Sequence, residues 1–192
     1  MAISLADISS NPTIAPPRVV LFGPHGVGKT TFGASAPKPI LLPTEEGLGG
    51  LEVPHFPLLR SFGAVIEAIG ALYQDEHDFQ TAVIDSADWL EPLVWTETCT
   101  RHNEANIESW GYARGYLHAL DQWREILEGL NALRAERGMA IVFLAHTEIK
   151  RFDAPDSEPY DRYQIKLQTR AAALIEEWAD AVLFAKIGRA HV

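Results

Sequence analysis

Cysteine is almost absent. Cys99 stands alone, so no internal disulfide can form, and with no Cys-x-x-Cys or His-Glu-x-x-His spacing the common zinc sites are excluded. Positive charge is also scarce. The 16 Lys and Arg face 26 Asp and Glu, for a formal net charge of −10. That balance excludes a protein that coats nucleic acid with a generally basic surface and confines any DNA contact to local, loop-borne groups. No apolar run approaches bilayer-spanning length, and "MAISLADISSNPTIAPPR" has neither a basic head nor a long apolar stretch. No membrane association is expected, and the expected compartment is the cytoplasm. Internal repeats and low-complexity blocks are missing as well. What is present is 192 residues, 47% of them hydrophobic, enough to bury one sizeable core.

Apolar runs and helical periodicities alternate along the chain. Residues 1–17 are polar, end in Pro16-Pro17, and read as a flexible arm. "RVVLFG" is a buried strand, and the glycine-rich turn after it opens a short helix that Pro37 must end, because proline cannot continue the hydrogen-bond ladder. "PILLP" is a second short run. Phe62, Val65, Ile66, Ile69, Leu72 and Tyr73 recur at helical spacing, and "TAVIDS" is a third buried strand. A helix is expected from about Trp89, carrying Cys99, and another through Tyr116, Leu120, Trp123, Leu127 and Leu130. "MAIVFLAH" is a fourth strand. The charged, proline-broken "TEIKRFDAPDSEPYDRY" reads as a connecting loop, followed by the strand "QIKLQ", the helix "AAALIEEWA" and a last apolar run, "DAVLFA". This order predicts an α/β domain over 18–186, a mainly parallel sheet with helices on both faces. Residues 187–192, "IGRAHV", read like a translated sequencing-library adapter and are expected to be a non-native tail, an ordinary strand end being the alternative.

Gly23-Pro24-His25-Gly26-Val27-Gly28-Lys29-Thr30 fits G-x-x-x-x-G-K-[ST] between a strand and a helix. The glycines let successive backbone N–H groups turn inward around an anion, Lys29 reaches the β and γ phosphates of ATP, and the Thr30 hydroxyl is placed to ligate Mg²⁺. Thr31 completes the nucleotide-binding set, and His25 is read as a variable position. Asp85 ends the run Ala82-Val83-Ile84 and should emerge at the carboxyl edge of the sheet, where it can hold the Mg²⁺ shell, or serve merely as a strand cap. Glu45 and Glu46 follow the second strand at the same edge, where a carboxylate can polarise water for in-line attack on the γ-phosphate. Either glutamate fits that description.

A phosphate loop, a second strand ending in a glutamate, a strand ending in Asp85 and a fourth ending in a polar residue together resemble the three-layer RecA-like P-loop ATPase core. The likeness is greatest to the small single-domain phage and prophage nucleotide-binding, or AAA-type, proteins linked to single-strand annealing and recombination. It runs from Arg18 to Ala185 and rests on "GPHGVGKTTFGASAPKPILLPTEEGL", "TAVIDSADWLE", "IVFLAH" and "LIEEWADAVLFA". The resemblance implies that Glu45 is the water-activating glutamate. It also implies that His146 senses the γ-phosphate and passes its state to the adjoining DNA loop. Two segments then correspond to DNA-facing loops. Arg101–Tyr116 holds Trp110, Tyr112, Arg114 and Tyr116, which either stack on unpaired bases or close a core or subunit contact. Thr147–Tyr163 holds Lys150, Arg151 and Arg162 against Glu148, Asp153, Asp156, Glu158 and Asp161, an acidic balance that departs from a strong grip on phosphate. Lys166 and Arg170 are candidates to complete a neighbouring subunit's ATP site, or are ordinary surface charges.

The expected function is therefore a Mg-ATP-hydrolysing ATPase acting on single-stranded DNA, a homo-oligomer with replication or single-strand-binding proteins as further partners. A P-loop small-molecule kinase and an ATP-dependent assembly or loading factor are the alternatives.

Overall fold

The computed structural model describes residues 15–153 and 158–188. Residues 1–14 of the expected arm, and 189–192 of the expected tail, lie outside the described residues. Each apolar run becomes a strand: β1 (Arg18–Gly23), β2 (Pro39–Pro43), β3 (Thr81–Asp85), β4 (Ala140–Phe152), β5 (Tyr160–Ile165) and β6 (Ala181–Phe184). Between them run α1 (Lys29–Ala34), α2 (Phe62–Gln74), α3 (Ala87–His102), α4 (Gly115–Glu136) and α5 (Thr169–Trp178). Local chemistry sets the boundaries. Ser61 caps α2 by accepting from the Ala64 N–H at 3.1 Å, which satisfies one of the donors a helix start leaves free. Asn103 ends α3 in the left-handed conformation, φ 55°, which asparagine tolerates better than most residues.

Five strands pair in parallel in the order β2-β3-β4-β1-β6. Successive side chains on a strand point to opposite faces, so each strand feeds two layers. On one face Ile40, Ile84, Ile141 and Phe143 pack under α2, α3, α4 and α5, with Trp123 and Leu130 fully buried at the centre. The other face is thinner. There Leu41, Val83 and Leu144 are covered by α1 and by Leu48, Leu51 and Val53 of the loop after β2. Helices lie on both faces as expected, but four stand against one short helix and a loop.

The sequence reading needs correction after Ala145. The expected loop 147–163 is largely an antiparallel hairpin: β4 runs on to Phe152 and β5 returns from Tyr160, pairing Ile149 with Tyr163 and Phe152 with Tyr160. The expected "QIKLQ" strand accordingly starts earlier and ends at Ile165. Cross-strand contacts of aromatic and β-branched side chains stabilise such a ribbon, and the charges between them hid the alternation. Among the described residues no helix is long and apolar enough to cross a membrane.

Helix α1 sits against the sheet without a spacer. A Cβ on Gly33 would come within 2.7 Å of the Val83 side chain, and Val83 is wholly buried. We therefore expect Gly33→Ala to lower stability by about 1–3 kcal/mol, the usual cost of overpacking. Urea unfolding of the two proteins checks this, and an unchanged midpoint would contradict the tight α1 contact.

Candidate functional site

Four parallel strands bring their carboxyl ends to one edge. Gly23 lies beside His146 in the β1–β4 register, Asp85 beside Leu144 and Pro43 beside Asp85. A cleft of about 320 Å³ opens there, lined by His25, Gly26, Gly28, Lys29, Thr30, Thr31, Glu45, Glu46, Asp85 and His146. A larger groove of about 810 Å³ lies elsewhere, between α3 and residues 103–107, and holds none of these groups.

Gly26 and Gly28 turn the phosphate loop through φ 75° and 96°, a region that costs a side-chain-bearing residue energy and glycine none. The loop carries Lys29 inward, where its ammonium donates to the carbonyls of Gly23 and Pro24 at 3.2 and 3.1 Å. Burial pushes Lys29 below its ordinary pKa, against the pull of Glu45, Asp88 and Asp85. The Thr30 hydroxyl donates to Asp85 Oδ2 at 2.8 Å, while Asp85 Oδ1 is buried with no partner. Burial raises the Asp85 carboxyl above its usual range despite Thr30 and Lys29. A hydroxyl and a carboxylate with a spare buried oxygen, side by side at a phosphate loop, are a donor set that fits Mg²⁺, which takes one or two protein oxygens and completes its octahedron with phosphate and water.

The two glutamates separate clearly. Thr44 donates through its N–H to Asp85 O at 2.7 Å and through its hydroxyl to Ser86 O at 2.7 Å, tying the end of β2 to the end of β3. Glu45, next in the chain, is half-buried in the cleft, and burial raises its carboxyl above the ordinary value, with His146 opposing and Asp85 reinforcing. Glu46 also lines the cleft but is exposed and meets Arg60 at 3.1 Å.

His146 is held by a residue the sequence reading passed over. Asp88, in the first turn of α3, accepts from the His146 N–H at 2.9 Å, lies 3.0 Å from its Nδ1, and accepts from the Ser86 hydroxyl at 2.9 Å. Burial works to raise Asp88, and these donors outweigh it and hold the carboxyl below its usual range. The same contact, against the effect of burial, raises His146. The His25 ring stacks near it, 5.9 Å between centroids, so His25 faces the site rather than open solvent alone. The spacing Asp85-Ser86-Ala87-Asp88, one helical turn after a strand end, was the available signal for Asp88.

Beyond His146 the hairpin projects. Its register puts Lys150 opposite Arg162 and Phe152 opposite Tyr160 on one face, with the two rings 5.5 Å apart and the Arg162 guanidinium 4.1 Å over Phe152. Lys150 pairs with Glu148 at 2.6 Å and Arg151 with Asp153 at 3.6 Å, so the basic groups are largely matched. Residues 154–157, Asp156 among them, lie outside the described residues. In the other expected loop Trp110 packs against His102 and His118, and Tyr116 against Trp95. Arg114 is turned back onto Trp110 O, and Tyr112 alone is wholly exposed. Arg170 donates to Ala113 O at 3.3 Å, and Lys166 lines a separate cleft beside α3.

A family model described as an AAA domain matches residues 15–191. Among solved structures, the crystal structure of the RadB recombinase matches with a TM-score of 0.52 at 17% identity, over 88% of this chain and 74% of that one. The likeness shows the fold, which is RecA-like. No curated protein sequence matches significantly.

The His146–Asp88 pair makes stability depend on pH with a definite sign. The folded state raises His146 above its ordinary 6.5, so the pair stabilises fully below that value and the contribution is lost as pH rises through the folded pKa. We expect the stability gap between the wild type and His146→Gln to be widest at about pH 6 and to shrink toward about pH 9. Urea melts across that range check it; a gap that does not change with pH would sink the assignment.

Proposed function

Because the chain belongs to the AAA domain family, we propose that it is a Mg-ATP-hydrolysing RecA-like ATPase that acts on single-stranded DNA as a homo-oligomer in a recombination or annealing pathway. One observation carries the reading: Lys29, the Thr30–Asp85 pair with its spare carboxylate oxygen, and Glu45 all converge on one cleft at the mouth of the phosphate loop. Lys29 and the turned loop would bind phosphate, and Thr30 and Asp85 would hold Mg²⁺, whose charge would offset that of a phosphoryl group in transfer. Glu45 takes the role of base. Its partly buried carboxyl is more basic than one in water, and the tie from Thr44 to Asp85 and Ser86 holds it in place to orient a water and accept its proton.

The DNA assignment is supported by the hairpin that starts at His146. Its face of Phe152, Tyr160, Lys150 and Arg162 suits unpaired bases, which stack on aromatic rings with little regard to sequence. Since Lys150 and Arg151 already have acidic partners, binding leans on stacking, and its salt dependence is shallow. A kinase would want free arginines over the phosphates, whereas Arg162 lies over Phe152 and Arg151 meets Asp153.

The test is ATP turnover with and without single-stranded DNA in the wild type and in Glu45→Gln. We expect DNA to stimulate the wild type, and Glu45→Gln to bind nucleotide normally while turning over about 10²-fold more slowly or worse, the usual loss of a general base. Phe152→Ala should remove the stimulation and leave basal turnover intact. Hydrolysis indifferent to DNA would favour a loading factor, and phosphate transfer to a small acceptor would establish the kinase.

A further inference from the structure

One buried acid takes no part in the site described above. Glu91 lies on α3, one helical turn beyond Asp88, and is only 6% exposed. Both its carboxylate oxygens accept from a single donor, the N–H of Gln168, at 3.0 and 3.1 Å. Gln168 is the residue through which the returning leg of the hairpin enters α5, and its own side chain accepts from the Arg170 N–H at 2.8 Å. The outgoing leg begins at His146, held by Asp88 on the same helix. Across the base, Lys166 N donates to His146 O at 2.9 Å and the Thr147 hydroxyl to Gln164 O at 2.9 Å. Helix α3 therefore grips both legs of the ribbon where they leave the sheet, and it starts two residues after Asp85.

We propose that Glu91 is a positioning residue that anchors the returning leg of the hairpin to α3, so that α3 carries the state of the nucleotide cleft to the whole hairpin rather than to its His146 leg alone. The role of the hairpin in DNA binding rests on the function proposed above; the anchor itself does not.

The chemistry around Glu91 argues against a filler role. A buried carboxylate with one N–H donor is poorly compensated, and a neutral side chain of the same size would cost less. Burial raises its pKa to about 7, with the Gln168 N–H opposing. The groups that face it are mixed. Asp88 on its own helix and Glu148 on β4 raise it further, Lys150 on β4 lowers it, Tyr116 reaches it from α4, and Lys166 shares its cleft from the segment after β5. Its protonation thus changes near neutral pH, and the ionised form is the stronger acceptor for Gln168 N–H.

The experiment is amide NMR and hydrogen exchange on the full chain, comparing wild type, Glu91→Gln and Glu91→Leu, with ATP affinity measured in each. In the wild type the Gln168 amide signal should titrate with a midpoint near about 7, and in Glu91→Gln it should not. Glu91→Leu should speed exchange of amides 147–152 and 160–168 roughly 3- to 30-fold relative to the intrinsic rate, the range expected for one coupling contact, while ATP affinity stays within about twofold. DNA stimulation should fall in parallel. Unchanged hairpin exchange in both variants would overturn the anchor, and so would a loss of ATP affinity as large as the loss of hairpin protection. Failure of the wild type to respond to DNA would sink the functional reading alone, since the exchange data decide the anchor without it.

Discussion

Parallel strand pairing is the constraint on which the site depends. In a parallel ladder every strand points the same way, so the phosphate loop after β1, Glu45 after β2, Asp85 at the end of β3 and His146 partway along β4 are brought to one edge without further design. The registers of Gly23 with His146, and of Asp85 with Leu144 and Pro43, then fix how far each group protrudes. A slip of one residue in β3 would turn Asp85 to the opposite face and leave Thr30 without its acceptor. The thick helical layer on one face and the thin one on the other hold this register by burying both sides of the central strands.

Electrostatics at that edge follow from burial. Asp85, Asp88, Glu45 and Glu91 are clustered within two strand ends and the first turns of one helix, with Lys29 and His146 against the first three and Lys150 near Glu91. Such clusters cannot all ionise at ordinary values. The fold distributes the cost unevenly: Asp88 receives three donors and stays ionised, whereas Asp85, Glu45 and Glu91 are left raised. Of the raised groups Asp85 has a buried oxygen without a partner, and a divalent cation held by Asp85 and Thr30 would satisfy it.

How much of this was legible in the sequence depended on how far apart the partners lie. The phosphate loop is contiguous, and its glycines at 26 and 28 have the positive φ that the pattern requires. Asp85 stood out because it stops an apolar run, and Glu45 because it follows the second run by two residues at the same sheet edge, its proposed role coming from the family resemblance. The hairpin was not, since Lys150, Arg151, Asp161 and Arg162 interrupt an alternation that only becomes visible once Ile149 and Tyr163 face each other. What distinguishes Glu45 from Glu46 in the fold is the exposed pairing of Glu46 with Arg60, fourteen residues on, which local sequence does not announce. Glu91 looked like any helical acid. Its partner, Gln168, is 77 positions away, and no local pattern announces a buried contact of that span.

A single helix that touches both the nucleotide cleft and the base of the hairpin has a mechanical consequence. α3 begins two residues after Asp85, so any shift that a bound nucleotide imposes on the end of β3 acts on the helix at its first turn. Asp88 sits in that turn and Glu91 in the next, close enough that the helix carries both as one body. Had the hairpin been tied to α3 only at His146, its second strand could pivot about the β4 leg and the displacement would dissipate in the ribbon. With Gln168 fixed as well, and the base closed by Lys166 and Thr147, the two legs must move together. The hairpin's own pairing then transmits the motion to Phe152 and Tyr160 at its far end. A buried side-chain acceptor on α3 is what that two-point grip requires, because a backbone N–H in a dry environment needs a partner, and Glu91 supplies it to Gln168.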